Sequence, residues 1–302
     1  MNHPFTTLRD FLRYAVSRFN EAQLSFGHGT ANAYDEAAYL LLHTLHLPID
    51  TLEPFLDATL LEAERDAVLA VIERRATDRV PAAYITGEAW MHGYRFSVDE
   101  RVIVPRSLIG EVLHDRLHPW VDAPENIGAV LELCTGSGCL AILAADAFPN
   151  CEVDAVDIST DALEVAHQNV TDYTLDDRIA LYHGDLYEPL LESLDDGSGE
   201  RRYDLIISNP PYVNAEAMQA LPSEYLHEPH LALAGGLDGM DIVRRIIADA
   251  RRWLTDDGIL LIEIGNERAH VEAAFGGLDL TWVTTSAGDD AVFLIQARDL
   301  PQ

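Results

Sequence analysis

The stretch Leu131-Glu132-Leu133-Cys134-Thr135-Gly136-Ser137-Gly138-Cys139-Leu140-Ala141 joins a predicted strand to a predicted helix. Because Gly136 and Gly138 lack side chains, the main chain can turn tightly there and let a nucleoside approach closely. A turn of this kind is typical of α/β domains that hold a nucleoside cofactor at the carboxyl end of a strand. The stretch therefore predicts an α/β fold with a nucleoside site.

A carboxylate follows at the end of the next predicted strand. Asp157 lies 19 residues after Gly138, an interval that suits a carboxylate accepting hydrogen bonds from both ribose hydroxyls. The glycine pattern does not choose the cofactor, since Gly136-x-Gly138-x-x-Ala141 also satisfies the nicotinamide fingerprint. A dehydrogenase therefore remains open at this point.

Hydrophobic periodicity divides the chain into three parts. Residues 1–83 have helical patterns, residues 84–105 alternate like a β-hairpin junction, and residues 106–302 alternate strands with helices. Such alternation predicts a mostly parallel sheet covered on both faces. The predicted strands are Ala129–Leu133, Glu152–Val156, Ile179–His183, Asp204–Ser208, Ile259–Ile264, Thr281–Thr284 and Ala291–Gln296.

Several local features of these parts are also predicted. Thr7 and Asp10 are spaced like a capping box for the first helix. The Gly-rich loop 25–32 either connects helices or makes contacts, and 195–200 is predicted to be a short solvated loop. The other predicted helices are those over about 34–46, about 60–76 and about 108–117, and the hairpin is expected at 89–98.

A second functional motif ends the fourth predicted strand of the sheet: Asp204-Leu205-Ile206-Ile207-Ser208-Asn209-Pro210-Pro211-Tyr212. The two prolines fix the main chain and lack N–H donors, which leaves carbonyl groups free to accept hydrogen bonds. The Asn209 side chain adds an acceptor, and Tyr212 offers a ring for a planar group. The motif therefore predicts a site for a planar –NH2 group, and Asn209 and the Pro210 carbonyl are expected to accept its two hydrogens.

The composition excludes several classes of protein. The 302 residues include 20 basic residues, all arginine, against 51 acidic ones, for a formal net charge of −31. Stable binding to nucleic acid is not expected, because it normally depends on cationic side chains. Either adaptation to high salt or a docking surface for a basic protein explains the acidity. No apolar leader or span is apparent, so no membrane partner and a cytoplasmic location are expected.

No metal site is expected. His43 with His46, and His114 with His118, lie at helical spacing, but no pattern of carboxylates or cysteines completes a ligand set. The three cysteines also form no Cys-x-x-Cys pair, so a disulfide framework is not expected either.

Together, Glu132-Leu133-Cys134-Thr135-Gly136-Ser137-Gly138, Asp157 and Asn209-Pro210-Pro211-Tyr212 resemble the class I (Rossmann-like), seven-stranded, S-adenosylmethionine-dependent methyltransferases. Nearly the whole chain is similar to the glutamine methyltransferases of release factors and of the third large-subunit ribosomal protein. Phe26-Gly27-His28-Gly29-Thr30 with Asp35-Glu36, and the run 133–139, resemble the ribosomal-protein branch. The release-factor branch usually has glycine at the position of Cys134 and Pro-Arg-Pro-Glu in place of Pro105-Arg106-Ser107-Leu108.

The resemblance implies S-adenosylmethionine as cofactor and S-adenosylhomocysteine as product. It places Glu132 near the aminoacyl end of the cofactor, and Asp185 and Leu186 at its adenine ring. It also places Glu228-Pro229 near the acceptor site. The implied cofactor-binding residues are Glu132, Thr135, Gly136, Ser137, Gly138, Asp157, Asp185, Leu186 and Asn209. The implied substrate-binding residues are Asn209, Pro210, Pro211 and Tyr212, of which Asn209, Pro210 and Tyr212 are expected to be catalytic.

The expected function is methylation of a glutamine side-chain amide in the third large-subunit ribosomal protein. Residues 1–83 are then expected to recognise the substrate, and residues 106–302 to transfer the methyl group. That substrate is strongly basic, so an acidic surface would speed its encounter with the enzyme. Three alternatives stay open. They are a release-factor glutamine methyltransferase, an exocyclic-amine methyltransferase of nucleic acid, which conflicts with the net charge, and a non-enzymatic nucleoside-binding module, which would need a defective site.

Overall fold

The structure is a computed structural model that describes residues 4–191 and 201–301. A helical segment comes first, a short β-hairpin follows, and a seven-stranded sheet with helices on both faces completes the chain. The loop predicted at 195–200 lies outside the described residues. Within the described ranges, no helix has both the length and the hydropathy needed to cross a bilayer.

The helical segment forms as its periodicity predicts. Its first helix begins with the predicted capping box, in which the Thr7 hydroxyl accepts from the Asp10 N–H at 3.3 Å and Asp10 Oδ2 accepts from the Thr7 N–H at 2.9 Å. Its apolar stripe is buried in a core shared by the three long helices. These helices are α1 (Leu8–Glu21), α2 (Ala33–Thr44) and α3 (Glu62–Thr77).

The second helix ends earlier than predicted. The pattern extends it to His46, but α2 stops at Thr44. His46 has a φ of 55°, in the left-handed region, and the Leu47 N–H turns back to the Leu42 carbonyl at 2.9 Å. The apolar spacing continues past the helix end because Leu45 and Leu47 still pack on the same core.

The junction contains the predicted hairpin. Its elements are α4 (Ala82–Thr86), β1 (Glu88–Met91), β2 (Tyr94–Ser97) and α5 (Ile109–His114). The predicted boundary between residues 83 and 84 falls inside α4, where Ala82 packs in the helical core and Tyr84 in the sheet core. The helix predicted over about 108–117 is shorter, because Arg116 and Leu117 take positive φ values of 53° and 56°.

The sheet contains all seven predicted strands. They are β3 (Ala129–Leu133), β4 (Glu152–Asp157), β5 (Ile179–His183), β6 (Tyr203–Ser208), β7 (Leu254–Glu263), β8 (Thr281–Thr285) and β9 (Gly288–Gln296). The helices that accompany them are α6 (Cys139–Ala147), α7 (Thr160–Asp172), α8 (Glu188–Leu191), α9 (Ala215–Ala220), α10 (Asp241–Trp253) and α11 (Arg268–Phe275). The largest differences from the prediction are the early starts of β7 and β9, where exposed aspartates interrupt the apolar run. β7 also ends at Glu263, one residue before the predicted end, and β4, β6 and β8 are each one residue longer than predicted.

The strand order predicts a ligand crevice at the carboxyl ends of β3 and β6. The order is β5-β4-β3-β6-β7-β9-β8, with β9 antiparallel to its neighbours and the other adjacent pairs parallel. One apolar cluster covers each face of the sheet. Successive residues of β3 therefore pack in different clusters, with Val130 in the first and Leu131 in the second. The chain winds in opposite directions from β3 and β6, and ligands bind outside the carboxyl ends of strands at such a switch point.

Candidate active site

A crevice of about 950 Å³ lies at the carboxyl ends of β3 to β6 and opens to solvent. Of the residues predicted to touch a cofactor, its walls include Gly136, Asp157, Asp185, Leu186 and Asn209. The structure therefore brings the ends of four separate strands to one cavity, as the sequence patterns predict.

Gly136 and Asp157 form one wall of the crevice. Gly136 has a φ of 56°, in the left-handed region, and a Cβ there would meet no atom within 4 Å. Its N–H donates to Asp157 Oδ2 at 2.8 Å, and the Ser159 N–H donates to Oδ1 at 2.9 Å. These bonds hold the carboxylate at the crevice wall with acceptor capacity left on both oxygens. Such a cradle fits the sugar of a nucleoside.

A second wall carries the residues predicted for the adenine ring. Asp185 and Leu186 follow β5, and Leu186 has a φ of 55° that turns the chain at the cavity. Arg245 of α10 also lines the crevice, and its Nη2 lies 2.9 Å from Asp185 Oδ2. Sequence reasoning missed Arg245, because the pairing depends on how α10 packs across the sheet.

Other predicted cofactor residues lie behind the crevice wall. Glu132 is 1% exposed and accepts a hydrogen bond from the Thr135 hydroxyl at 2.6 Å. Ser137 is also buried, and its carbonyl accepts from the Asn169 side chain at 2.8 Å. Gly138 has a φ of 76° at the start of α6. These four residues shape the glycine turn, while Gly136 faces the cavity.

The buried Glu132 carboxyl predicts a pH dependence of stability. Burial raises its pKa from 4.5 to about 8, against the lowering effect of hydrogen bonds from Thr135 and the Ala141 N–H. Between these pH values the folded protein keeps a proton that the unfolded chain has lost, so a rising pH lowers the free energy of unfolding. In the wild type we expect the free energy of unfolding to decrease by on the order of 3 kcal/mol between pH 5 and 8. We expect the Glu132→Gln variant to lack this decrease.

Denaturant unfolding at several pH values measures this slope. The Glu125→Gln variant is the matched control, because Glu125 is exposed before β3 at the opposite edge of the sheet. Identical slopes for wild type and Glu132→Gln would show that the buried carboxyl is ionised at neutral pH.

The acceptor motif follows β6 directly. Asn209 and Pro211 line the crevice, whereas Pro210 and Tyr212 lie beside it. The Ser208 hydroxyl donates to the Leu133 carbonyl at 2.8 Å and so ties the end of β6 to the end of β3. No group within residues 4–191 and 201–301 hydrogen bonds to the Asn209 carboxamide. Its oxygen is therefore available to a ligand.

Close main-chain packing fixes the conformation of this motif. Val213 pairs with the chain at 233–235 through two hydrogen bonds of 2.9 Å. A Cβ at Gly235 would lie 2.6 Å from the Tyr212 Cα and 2.8 Å from the Pro211 carbonyl oxygen. Only glycine allows the two segments to approach this closely. The Tyr212 ring packs against Gly265, and burial raises its pKa above the usual value.

Charged groups from distant segments surround Tyr212. Arg106 donates to Glu228 through its two terminal nitrogens, Nη1 at 2.5 Å and Nη2 at 2.8 Å. Its guanidinium group lies 5.4 Å from the centroid of the Tyr225 ring. Burial alone would raise the pKa of Glu228, but the adjacent His28 and Arg106 lower it to about 2. We call Asn209, Tyr212, Arg106, Tyr225 and Glu228 the acceptor group.

Glu263 is a further buried carboxyl at this edge of the sheet. It ends β7 and accepts from the Ser107 hydroxyl at 2.5 Å and the Leu108 N–H at 2.8 Å. Burial raises its pKa to about 6. The apolar pattern of β7 hides Glu263, although a carboxylate at the end of a buried strand is a signal that could have found it.

The loop 25–32 joins the helical segment to the acceptor group. The His28 ring lies 4.5 Å from the Tyr225 ring, and its Nε2 is 3.6 Å from Glu228 Oε2. The Ser25 N–H donates to Glu224 Oε1 at 3.0 Å. Of the two interpretations of this loop, connection or contact, the structure therefore supports contact.

A buried set of charges reinforces this junction. Arg75 binds Glu36 at 2.6 Å and the Ser25 carbonyl at 2.9 Å, and its Nη1 lies 3.5 Å from Glu224. Arg75, Glu36 and Glu224 are each at most 1% exposed. We call Ser25, Glu36, Arg75 and Glu224 the buried clamp, because it holds α2 and α3 against the turn Ser223–His227.

The histidines flagged by the sequence lie elsewhere. His43 approaches Glu88 at 3.7 Å, and His114 stacks on His92 with ring centroids 5.8 Å apart. In the described part of the chain, no three His, Cys, Asp or Glu side chains come together as a metal site.

Comparison with known proteins gives close relatives. A protein of Burkholderia pseudomallei, named ribosomal protein uL3 glutamine methyltransferase, is 70% identical over 99% of this chain and 97% of its own length. Proteins of the same name from Neisseria meningitidis serogroup B and Bordetella pertussis are each 57% identical. Those alignments cover 98% and 97% of this chain, and 94% and 96% of the two relatives.

The domain and the fold are also shared. A family model described as the methyltransferase small domain matches residues 117–236. The solved structure of the hMettl16 catalytic domain is similar in fold, with a TM-score of 0.50 and 16% identity over 79% of this chain and 83% of that chain. The seven-stranded sheet accordingly has the fold of class I methyltransferases, and the relatives named above exclude the dehydrogenase alternative. With identities of 57–70% over nearly its full length, the chain belongs to the family of ribosomal protein uL3 glutamine methyltransferases.

Proposed function

We propose that this enzyme methylates the side-chain amide nitrogen of a glutamine in ribosomal protein uL3. The methyl donor is S-adenosylmethionine, which supplies an electrophilic methyl group on a sulfonium when it is bound. The observation that carries the proposal is the Asn209 carboxamide, which lines the same crevice as Asp157 and has no hydrogen-bonded partner among the described residues. An acceptor for an amide N–H thus faces the nucleoside wall.

The crevice residues divide the binding of the cofactor. Asp157 would hold the ribose hydroxyls, Gly136 would give the main chain room to approach, and Asp185 and Leu186 would contact the adenine. Glu132, Thr135, Ser137 and Gly138 support this wall from behind and set the position of the aminoacyl end. Hydrogen bonds hold the side chains of Glu132, Thr135 and Asp157 and the main chain of Ser137 in place, as binding geometry requires.

The acceptor motif positions the glutamine. Amide nitrogen is a poor nucleophile because its lone pair is delocalised into the carbonyl group. The Asn209 Oδ1 and the Pro210 carbonyl accept its two N–H groups, which raises electron density on nitrogen and directs it across the crevice. The Pro211 ring and the Tyr212 ring would confine the amide plane. Transfer of the methyl group would break the S–CH3 bond of the cofactor as the N–CH3 bond forms, so that S-adenosylhomocysteine leaves and the nitrogen releases one of its protons to solvent after the transfer. Catalysis consists of positioning and exclusion of water.

Recognition of the whole substrate protein requires a larger surface. We assign it to the helical part of the chain, residues 1–83, together with the hairpin junction 84–105, and assign methyl transfer to residues 106–302. Loop 25–32 and the buried clamp bring the first part to the acceptor group. A crevice for one side chain cannot identify a protein, so this contact supports the division.

A competition assay tests the substrate. Purified uL3, a release factor and ribosomal RNA are incubated together with the enzyme and labelled S-adenosylmethionine, and the labelled glutamine is located by mass spectrometry. Label on uL3 supports the proposal. Preferential labelling of the release factor would favour the second candidate, and label on RNA would favour an exocyclic amine.

The acidity of the chain suits an encounter with a basic ribosomal protein in the cytoplasm. A composition rich in aspartate, in which every basic residue is arginine, also suits a cytoplasm of high salt, where charge repulsion is screened. Melting temperatures in about 0.1 M and about 2 M potassium chloride separate these uses. A marked rise indicates salt adaptation, whereas a constant value assigns the charge to docking.

Replacing Asp157 by alanine weakens the binding of S-adenosylmethionine. The variant loses charge-assisted hydrogen bonds from a carboxylate that is only 9% exposed, so we expect a loss of about 1–3 kcal/mol in binding free energy. Titration calorimetry measures it, and Asp257→Ala, at an exposed position of β7, is the control. Unchanged affinity, or tight binding of NAD to the wild type, would contradict the assignment of this wall.

A further inference from the structure

A second pocket, of about 640 Å³, lies between the helical segment and the β-hairpin. Loop 25–32 contributes His28 and Thr30 to its wall, α2 contributes Tyr39, and β1 contributes Glu88 and Trp90. The methyl-transfer chemistry uses none of these side chains. We propose that this pocket binds a positively charged side chain, an arginine or a lysine, of the protein substrate; the identity of that substrate rests on the proposed function.

Glu88 provides the charge for such a ligand. It is the sole acidic residue of the pocket lining, and its side chain is 13% exposed. Its Oε1 accepts from the Tyr39 hydroxyl at 2.9 Å and from the Trp90 indole at 3.2 Å. Oε2 accepts no hydrogen bond from the described residues, although Arg95 Nη1 forms an ion pair with it at 3.6 Å. One carboxylate oxygen is therefore held ready to accept from a cationic donor.

The aromatic residues fit the same ligand. Trp90 is 43% exposed, and its hydrogen bond to Glu88 places an indole beside the carboxylate. The Tyr39 hydroxyl donates to the same oxygen of Glu88. A guanidinium or ammonium group next to a carboxylate and an aromatic ring gains both ion-pair and cation–π energy. Glu88 would repel an anionic ligand, and no arginine is among the described residues that line the pocket.

The nearby protein cations do not occupy this role. Arg95 is half-exposed on β2, and His43 Nε2 lies 3.7 Å from Glu88 Oε1. Neither residue lines the pocket. The formal net charge of −31 adds an attractive field for a cationic partner.

His28 links the pocket to the acceptor group. Its ring lines the pocket, packs on Tyr225 at 4.5 Å and lies 3.6 Å from Glu228. A substrate segment whose glutamine enters the crevice can thus place a neighbouring side chain in the pocket. The pocket would then select glutamines that have a basic residue nearby.

Small-molecule titration tests the pocket without any enzymatic turnover. The probes are N-acetyl-arginine amide, N-acetyl-lysine amide and uncharged N-acetyl-norleucine amide, added to the whole protein. The readout is the NMR signal of the Trp90 indole N–H, assigned by its loss in the Trp90→Phe variant. We expect both cationic probes to move this signal saturably, norleucine amide to leave it in place, and the Glu88→Gln variant to abolish the response.

Steady-state kinetics test its use by the substrate. For Glu88→Gln and for Trp90→Ala we expect the KM for uL3 to rise about tenfold, with kcat and the KM for S-adenosylmethionine unchanged. The Glu125→Gln variant is the matched control, because Glu125 is exposed in the turn before β3 and does not line the pocket. Melting temperatures show whether each variant is folded.

The two measurements fail separately. If the Trp90 indole signal does not shift with the cationic probes, or shifts equally with norleucine amide, the pocket assignment is wrong whatever the enzyme methylates. If the cationic probes bind but uL3 is not methylated by the wild type, the proposed function fails and the pocket stands. An unchanged KM for uL3 in both folded variants would overturn the role in substrate binding.

Discussion

Replacing Asn209 by alanine lowers methyl transfer to uL3 by a factor of about 100 or more, while cofactor binding changes little. The reason is that the Asn209 carboxamide lines the crevice and has no hydrogen-bonded partner in the described ranges. Its loss therefore leaves the fold intact and removes one acceptor for the glutamine amide. Asp157 and the glycine turn are unaffected. Single-turnover rates with saturating cofactor measure the chemical step, and calorimetry measures cofactor affinity.

The Asn126→Ala variant serves as control, because Asn126 is exposed before β3, far along the strands from their carboxyl ends. The proposed mechanism requires a fall in rate that is not matched by a fall in cofactor affinity. Near-normal turnover of uL3 by Asn209→Ala would show that this side chain does not position the acceptor amide.

Replacing Arg75 by methionine destabilises the protein by about 3–5 kcal/mol. Methionine keeps much of the volume of the side chain, but it leaves the buried carboxylate of Glu36 without its cationic partner, whereas Glu224 keeps its ion pair with Arg79 Nη2 at 3.0 Å. Arg75, Glu36 and Glu224 are each at most 1% exposed, so water cannot compensate for the lost partner. Denaturant unfolding measures the change.

The control for Arg75→Met is Arg9→Met, which removes an exposed ion pair to Asp57. Solvent screens such a pair, and we expect almost no change in stability. Equal effects of the two substitutions would show that the buried clamp is accessible to water in solution.

The sequence predicts the sheet well, because short segments rich in apolar residues alternate with helical patterns along residues 106–302. The glycine turn, Asp157 and Asn209 are also predictable, since each lies directly after a strand and parallel strands bring their carboxyl ends to one edge. Helix ends are predicted less well. Arg116 and Leu117 take left-handed conformations without glycine, and nothing in the local pattern announces them.

The remaining functional contacts are not local. Arg106 and Glu228 are 122 positions apart, and Arg75 and Glu224 are 149 apart. Each is an unremarkable charged residue in its own segment, and its partner is chosen by tertiary packing. The second pocket is likewise assembled from loop 25–32, α2, α4 and β1, so no single stretch of sequence contains its pattern.

The turn Ser223–His227 has a consequence for redesigning this enzyme. Glu224 in this turn contacts Ser25 of the helical segment, and Tyr225 packs on His28. Glu228, which directly follows the turn, binds Arg106. A chimera that exchanges residues 1–83 for those of a relative with another target would separate Arg75 from Glu224 unless 223–228 travelled with them. Retargeting by module exchange therefore has to treat this turn, although it lies far along the chain, as part of the recognition module.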